Sequence, residues 1–454
     1  MIKRYHLYSA LVIALAVTSC KKIEITPEGL VSPEQAIRNE RDVKDVLNGA
    51  YQVIATDNFY GGRLQALSEL MADRVNGAGM TGYEADIFNL KSSSDAGTSE
   101  IYSEPYIAIQ RANTVLDNLN LVAITNQERF EGEAKFIRAI SHFELVKLFA
   151  QPYGFTTDNS HPGIVIKTTS AQEIAKPRNS VNDVYIQIIR DLRSAENLLP
   201  DNNPAYASKW AAKGYLARVY FQMNKFDSAY YYANEVISSN KFPFDNTADF
   251  VTNRFAETPS SEAVFYLVNE VATTRFQYLR GANPNRNLNL SITQQAYSEG
   301  TASTDRRAVW YHNENGVYSV KKYPFNVKFD LTLVHTTELK LIRAESATEL
   351  NQHLDVALAD INDITNRAYG GNRPPLPANT SAALIRQAVR DQRKLEMVFE
   401  IGDRLQQIKR IGAKGETSTN RGAPWNCPGM ALQFPASEIS VNVNFVPNPT
   451  GGCL

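Results

Sequence analysis

The sequence predicts a mostly α-helical protein, in which helical hairpins form a scaffold and a large irregular segment with short strands is inserted between them. Three observations predict this fold class. Apolar residues recur at helical spacing through about 36–240 and again through about 335–411. The segment of about 242–334 loses that period and is rich in Asn and turn residues. A chain of 454 residues that is 43% hydrophobic can also bury a large core.

The first half of the chain predicts a series of amphipathic helices, each with apolar residues along one face. They are expected at 36–56, 64–74, 106–118, 127–149 and 179–200. Between the second and the third of them, the segment 75–100 is rich in Gly, Ser, Asn and Asp. That composition predicts a loop with at most a short strand.

The segment 209–239 is the most informative part of the chain, because it contains two helices joined by a three-residue turn. Small residues recur where two antiparallel helices must approach closely, at Ala217, Ala229 and Ala233. The pattern returns at 337–368, and it resembles a tetratricopeptide (TPR) hairpin. Since the repeats are not contiguous, the sequence favours a TPR-like scaffold with insertions over a plain solenoid.

The insertion at 242–334 contains one plausible strand, at 264–270, followed by Asn-rich, turn-rich sequence. A stretch of this length with weak periodicity is unusual within a helical protein and is often functional. After it, 380–412 predicts a long helix, with a second, short helix at its end as an alternative. The tail at 412–454 contains Gly, Pro and Asn throughout and predicts loops.

The N-terminal apolar run, 7–17, is 11 residues long, whereas a membrane-spanning helix needs about 20. Basic residues precede it, and small residues follow it up to Cys20, which is the order of a bacterial secretory signal. The end of the run resembles a lipoprotein lipobox. This implies removal of 1–19 and acylation of Cys20, for example with palmitate, as a stable membrane anchor. The alternatives are an ordinary signal and a first strand with a chance cysteine.

The charge and the remaining cysteines limit the possible partners. The net charge is −1 and no long basic run occurs, so we expect no nucleic-acid partner. Cys427 and Cys453 lie near the C-terminus. In an exported chain, which passes through an oxidising compartment, these two thiols could pair.

Familiar catalytic and metal motifs have little support. The segment 77–82 satisfies G-x-G-x-x-G, but a predicted helix precedes it where a dinucleotide site needs a strand. The six histidines are scattered and no C-x-x-C occurs, so we expect neither a metal nor a cofactor. Nothing selects a catalytic pair of carboxylates, and we expect no enzyme activity. A glycoside hydrolase stays open as an alternative, because its two carboxylates can lie far apart in the chain.

An ordered set of motifs resembles the SusD/RagB family of outer-membrane lipoproteins over nearly the whole length, with 20–454 as one SusD-like domain. After Cys20, the motifs lie at 68–73, 106–119, 133–149, 208–229, 338–346, 390–410 and 434–449. The chain departs from the family pattern at two positions. Ile401 separates Glu400 from Gly402, and Gln407 stands where an acidic residue is usual. The departures put in doubt any role carried over to Glu400.

The resemblance implies a surface lipoprotein that caps a SusC-like TonB-dependent outer-membrane transporter and performs no chemistry. Such a protein would be held in the outer membrane by its lipid, and it would face the exterior. It would capture oligosaccharide, or peptide in the RagB branch. The TPR-like helices would pack on the transporter, and loops outside them would hold the ligand.

The ligand site is predicted where the segments 59–88 and 276–311 meet. Both combine aromatic and polar side chains in turn-rich sequence, and binding residues concentrate in loops on a rigid frame. Sugar rings stack on aromatic planes, and their hydroxyls need polar partners. The candidates for stacking are Trp310, expected as an exposed platform with the largest face, then Tyr311, Tyr278 and Tyr83. The candidate hydroxyl partners are Arg280, Asn289 and Asp73. The alternative is that these aromatics hold the insertion itself together and that Asp73 braces its own helix.

Overall fold

The computed structural model describes residues 37–91, 97–171, 175–269 and 276–453. The predicted signal segment and Cys20 lie outside the described residues. Within those ranges, no helix combines the length and the hydropathy that a membrane span requires.

Helices dominate the first half of the chain, as the periodicity predicts. They are α1 (Glu40–Ile54), α2 (Arg63–Leu70), α3 (Gly82–Phe88), α4 (Ser99–Asp117), α5 (Ile124–Phe149), α6 (Val181–Leu198), α7 (Lys209–Gln222) and α8 (Phe226–Ser238). Caps set several of their starts. The Asn39 side chain accepts from two backbone N–H groups of α1, and Ser180 and Ser208 cap α6 and α7 in the same way.

The α7–α8 pair confirms the predicted hairpin. Ala217, Ala229 and Ala233 are fully buried, as the close approach of two helices requires. Asn224, in the turn, has a φ of 56°, a left-handed conformation that Asn tolerates better than most residues.

Short elements make up the insertion. They are α9 (Phe250–Asn253), β1 (Ala263–Leu267), α10 (Gln277–Arg280), α11 (Gln294–Gly300), β2 (Tyr311–Glu314), β3 (Val317–Val320) and β4 (Leu331–His335). The predicted strand is confirmed as β1, which pairs antiparallel with β4, so that Leu267 lies opposite Leu331. Strands β2 and β3 form a hairpin that turns at Asn315-Gly316, both with positive φ.

The chain then returns to long helices and ends in a short-element tail. These elements are α12 (Thr336–Leu350), α13 (Leu354–Tyr369), α14 (Ala382–Glu396), α15 (Asp403–Ala413), β5 (Thr419–Asn420), β6 (Ala423–Pro424) and α16 (Ala436–Val441). Helix α12 packs against α8, α13 and α14, which joins the second helical region to the first.

The segment 75–100 differs from the loop that the composition predicts, because it contains α3. In this seven-residue helix Ile87 is buried, and the Arg421 guanidinium lies 4.3 Å from the Phe88 ring. Gly77 is needed at its position, since a Cβ there would lie 2.3 Å from the Phe88 ring. Tertiary packing, which composition does not report, therefore accounts for the helix.

The tail is fastened to the scaffold. The predicted pairing of Cys427 with Cys453 is confirmed by a disulfide whose Cα atoms are 5.2 Å apart. The Arg178 guanidinium lies 4.5 Å from the Phe434 ring and donates to the backbone oxygen of Val446. Asn448 donates to the backbone oxygen of Phe149 at the end of α5. The loops of the tail thus have fixed positions.

A buried group of charges, which we call the root cluster, joins the insertion to the helices that follow it. All of its side chains are buried, and the basic members balance the acidic ones. Its members are Arg254, Arg307, Lys322, Arg367, Glu262, Asp305, Glu396 and Glu400, with His335 beside them.

Glu396 lies at the centre of the root cluster. Its carboxylate accepts from Arg254 at 3.1 Å, Arg307 at 3.1 Å and Arg367 at 3.0 Å. Burial alone would raise the pKa of Glu396, but the guanidiniums of Arg367, Arg254 and Arg307 lower it to about 2. Glu396 is therefore ionised at neutral pH. Its single negative charge is shared by the three arginines.

Glu400, whose role the sequence leaves in doubt, is a structural member of the root cluster. It accepts from Lys322, from Nε2 of His335 at 3.0 Å and from Arg254 at 3.3 Å. The chain around it is tightly shaped. Gly402 has a φ of 66°, and a Cβ there would lie 2.4 Å from the Cβ of Ser68. The glycine therefore allows α2 to pack beside α15.

Lys409 on α15 is a fully buried lysine whose Nζ donates to the backbone oxygen of Lys147 at 2.9 Å. Burial, together with the charge of Lys147, lowers the pKa of Lys409 to about 7. The folded protein therefore releases this proton well below the pKa of about 10.4 that a lysine has in an unfolded chain.

We expect Lys409 to make the protein more stable as the pH rises from about 7 to about 10. In that window the unfolded state holds more protons than the native state, so stability rises by up to about 1.4 kcal/mol per pH unit. Urea unfolding of the wild type and Lys409→Met at several pH values tests this, because subtraction cancels the groups that both share. The wild type should gain stability relative to Lys409→Met as the pH rises, and a constant difference would contradict the expectation.

Candidate ligand-binding site

The two segments predicted to form the ligand site lie against each other. The backbone N–H of Leu279 donates to the oxygen of Gly61, at 3.2 Å. Further along, Asn76 donates to Ser291 at 2.9 Å and Thr293 donates to Arg74 at 2.8 Å, again through the backbone. The loops around α2 and around α10 therefore form one continuous surface.

A glycine allows this close approach. Gly62 has a φ of 143°, and a Cβ at this position would lie 2.5 Å from the backbone nitrogen of Leu279. A side chain at position 62 would therefore separate α10 from α2. The aromatic residues just before it, Phe59 and Tyr60, stack on each other with centroids 4.5 Å apart and are fully buried. They support the surface from below.

Three half-buried side chains, which we call the tyrosine–arginine patch, lie where the loops meet: Arg63, Tyr83 and Tyr278. The Arg63 guanidinium lies 5.7 Å from the centre of the Tyr83 ring. Its nitrogens donate to the backbone oxygen of Gly97 at 2.7 Å and to Glu100 at 3.2 Å, so the guanidinium is held in place. The patch offers ring surface beside a fixed cation.

The hydroxyl of Tyr278 stays protonated over a wide pH range. Burial, with a smaller effect from nearby Tyr83 and Glu84, raises the pKa of Tyr278 to about 12. A neutral phenol can both donate and accept a hydrogen bond, as a sugar hydroxyl or a peptide group requires. The patch therefore combines stacking surface with polar groups of fixed position.

Asp73 does not offer its carboxylate to a ligand. It binds the guanidinium of Arg404 on α15, with 2.7 Å to Nε and a second contact to Nη2. Although burial opposes ionisation, Arg404 holds the pKa of Asp73 below its ordinary value. Asp73 is a brace, as the alternative interpretation suggests, but it braces α15 and not its own helix.

The expectation that Trp310 is an exposed platform is wrong. Its side chain is only 2% exposed, and its Nε1 donates to the backbone oxygen of Val251 at 2.8 Å. The ring meets Phe250 edge-on at 5.9 Å and lies 4.1 Å from Nζ of Lys322 in the root cluster. The 3₁₀ turn at Arg306–Trp310 directs the ring inward.

Tyr311 is also buried, at 5% exposure, on β2. A Cβ at Gly300 would lie 2.1 Å from the Tyr311 ring, which shows how closely α11 covers this residue. Neither aromatic therefore presents a face to solvent. The buried positions of Trp310 and Tyr311 agree with the alternative interpretation, in which these aromatics hold the insertion together.

Arg280 and Asn289 lie beside the patch, but contacts within the protein already engage most of their polar atoms. Arg280 is 4% exposed and lies 5.1 Å from the Phe329 ring, and burial lowers its pKa. Asn289 is exposed, but its Oδ1 accepts from the backbone N–H of Ala282 at 2.7 Å. Asn289 thus shapes the loop, and only its remaining polar atoms could contact a ligand.

Of the seven candidates, the structure therefore brings together Tyr83 and Tyr278 on the exposed surface. Arg63 is a member of the patch that the sequence analysis missed, because it reads as the first residue of an ordinary helix. A signal was present in Gly61-Gly62, directly before it. Two adjacent glycines ahead of a helix can indicate that another backbone approaches closely.

Two family models match the chain. A model described as "Starch-binding associating with outer membrane" matches residues 26–221, and a model described as "SusD family" matches residues 223–433. Among curated relatives, the "SusD-like protein P2" of Formosa agariphila is 25% identical over 516 residues, covering 99% of this chain and 100% of the relative. The "SusD-like protein P38" of the same species is 25% identical over 49% of this chain and 43% of its own.

Solved structures share the fold. A SusD superfamily protein from Bacteroides vulgatus matches with a TM-score of 0.79 and 19% identity, covering 91% of this chain and 99% of that chain. A SusD-like carbohydrate binding protein from the same species matches with a TM-score of 0.72 and 18% identity, covering 90% and 98%. The likeness extends over the helices and the insertion together, and it confirms the predicted mostly helical fold class.

Proposed function

Because the chain belongs to the SusD/RagB family, we propose that it is a lipid-anchored protein of the outer-membrane surface that captures oligosaccharide. It would deliver the ligand to a SusC-like TonB-dependent transporter without catalysing a reaction. The family model that describes starch binding and association with the outer membrane supports this proposal. So does the likeness to a structure described as carbohydrate binding.

The tyrosine–arginine patch is the observation that carries the proposal. Tyr83 and Tyr278 provide apolar ring surface against which the C–H face of a sugar can stack. Arg63, fixed by Gly97 and Glu100, provides a donor to hydroxyl oxygens. The three patch residues lie on the short helices α2, α3 and α10, and the backbone bond from Leu279 to Gly61 holds α10 against the start of α2, so the patch can bind without a large rearrangement.

We expect Tyr83→Ala and Tyr278→Ala each to weaken oligosaccharide binding by about 1–3 kcal/mol, because each removes a stacking ring from the patch. Calorimetry with the oligosaccharide that a glycan array selects measures this loss. Tyr231→Ala is the matched control, since Tyr231 is 55% exposed on α8 and should leave the affinity unchanged.

The same preparation tests the alternatives. A peptide array of the wild type and of both patch variants, run in parallel, would identify a peptide-binding protein of the RagB type if the wild type binds peptides that Tyr83→Ala and Tyr278→Ala do not bind. Release of reducing sugar would identify a glycoside hydrolase and would contradict the non-catalytic proposal. Full affinity in both patch variants would show that the oligosaccharide binds elsewhere.

The lipid anchor predicts that Cys20→Ala releases the protein from the membrane fraction, because the thiol is the proposed acylation site. Fractionation together with labelled palmitate tests this expectation. Glu128→Ala, at an exposed position on α5, keeps Cys20 and is the control that should stay in the membrane fraction. A Cys20→Ala protein that stays in the membrane fraction and still incorporates label would contradict the proposed anchor.

A further inference from the structure

A second cleft, of about 640 Å³, lies on another face of α4. Two glutamates of this helix point towards the tyrosine–arginine patch: Glu100 accepts from Arg63, and Glu104 accepts from Asn58, which itself accepts from Arg63. Tyr102 and Tyr106 each lie two positions after one of these glutamates, so they point to a different side of α4. On that side, α4 forms one wall of the cleft, the segment around Lys167 forms the second, and the C-terminal tail forms the third.

The floor of the cleft is rigid and largely apolar. Tyr102 is 6% exposed, and its ring meets Tyr106 at 5.0 Å and Phe434 at 5.6 Å. The hydroxyl of Tyr106 donates to the backbone oxygen of Val165 at 2.8 Å, so this ring is fixed as well. Ile107, which directly follows Tyr106 in α4, is 43% exposed. The cleft therefore presents apolar surface to solvent on a firm base.

Three half-buried charged side chains line the cleft, and the guanidinium of one of them, Arg111, is already bonded to the backbone oxygen of Gly49. The other two, Lys167 and Glu438, have opposite signs. Nζ of Lys167 lies 5.7 Å from the centre of the Tyr106 ring, and Glu438 accepts from the amide of Asn442 at 3.3 Å. Within the described residues, neither charge forms an ion pair. A partly desolvated charge is stabilised by an opposite charge, so each of them favours a charged partner from a ligand.

We propose that this cleft binds a short peptide with free termini. The peptide carboxylate would pair with Lys167 and its ammonium group with Glu438. An apolar side chain between them would contact Tyr106 and Ile107. Serine hydroxyls at Ser99, Ser103 and Ser437, which also line the cleft, can bond to the peptide groups.

The size and the charges favour this ligand over a neutral sugar. The cleft volume lies within the range of about 300–1,000 Å³ that is usual for small-molecule sites. A neutral oligosaccharide offers only hydroxyl groups to Lys167 and Glu438, whereas the two peptide termini carry opposite charges, and hydrogen bonds between two ionised groups are the stronger ones. The inference concerns a surface other than the tyrosine–arginine patch, and it does not depend on oligosaccharide binding there.

The test uses the mature chain with Cys20→Ala and calorimetry with three tripeptides, Ala-Leu-Ala, Ala-Phe-Ala and Ala-Ala-Ala. Each is prepared with free termini, N-acetylated and C-amidated, and maltotriose is the neutral comparison. We expect at least one free tripeptide to bind. Blocking either terminus should weaken its binding by about tenfold or more, since each block removes a charge-assisted contact.

Two variants assign the termini. Lys167→Met should weaken the free tripeptide about tenfold or more and should abolish the effect of C-amidation while keeping that of N-acetylation. Glu438→Gln should show the opposite pattern. Lys225→Met, at an exposed position beside the α7–α8 turn, is the control and should bind as the wild type does. Thermal melting checks that all three variants are folded.

The proposal is overturned if none of the free tripeptides binds, or if Lys167→Met and Glu438→Gln bind them as tightly as the wild type. The proposal is also overturned if, in each variant, N-acetylation and C-amidation weaken tripeptide binding equally, because that result would place the peptide elsewhere. Maltotriose binding that Lys167→Met abolishes would assign the cleft to sugar instead. Unchanged oligosaccharide binding at the patch in both variants would show that the two surfaces act separately.

Discussion

Glu396→Ala is expected to lower the free energy of unfolding by about 3–5 kcal/mol, because it removes one partner from a buried group of charges. The carboxylate accepts hydrogen bonds from Arg254, Arg307 and Arg367, all of them buried. Without it, three guanidiniums in the root cluster lose a shared counter-charge and cannot regain water. The loss should exceed what the removed methylene groups alone would cause.

Urea unfolding at neutral pH measures this effect. Glu128→Ala, at an exposed position on α5, is the matched control and should change stability by less than about 0.5 kcal/mol. The pKa of Glu396 is about 2, below its value in an unfolded chain. Its contribution is thus present above pH of about 4.3 and is lost as the pH falls towards 2. A loss as small as that of Glu128→Ala would show that the arginines find other partners.

Trp310→Ala is expected to cost about 3–5 kcal/mol of stability, the usual range for removing a large buried aromatic side chain. The ring fills space between Phe250 and Lys322, and its Nε1 bonds to the backbone of Val251. Because the residue is buried away from the patch, oligosaccharide affinity measured below the melting transition should stay unchanged.

Thermal melting and calorimetry of the same Trp310→Ala sample test both parts. Trp310→Phe is the control, since it keeps most of the apolar volume and should lose less stability. A Trp310→Ala protein with the wild-type melting temperature and weakened oligosaccharide binding would contradict this prediction. It would indicate that Trp310 is an exposed stacking platform, as the sequence predicts.

The helical scaffold could be predicted from the sequence because its signals are local. The buried alanines of the α7–α8 hairpin, Ala217, Ala229 and Ala233, lie at most 16 positions apart in the chain. The apolar spacing reports the buried face of each helix directly. The boundary between α14 and α15 was less certain. It depends on Gly402 packing against Ser68, more than 300 positions away in the chain, and no local pattern reports that contact.

The sequence predicts the region of the candidate site, but it identifies only some of the residues in that site. The two segments that meet were identified by their composition, and Tyr83 and Tyr278 were among the candidates. Composition does not distinguish a tyrosine at the surface from a tryptophan that packs beneath it, since both lie among Asn, Arg and turn residues. Trp310 is buried because the root cluster brings Lys322 beneath it. The members of that cluster are dispersed along the chain, with Arg254 and Glu400 146 positions apart.

The root cluster also bears on how such a protein can change over evolutionary time. Its charges come from both ends of the insertion and from the helices behind it, so a single replacement there leaves an unmatched ion, and compensating changes would have to arise together. The exposed loop residues beside Tyr278, such as Asn289, carry no such constraint. Ligand preference could therefore diversify by substitutions at the loop surface while the buried base of the insertion stays constant.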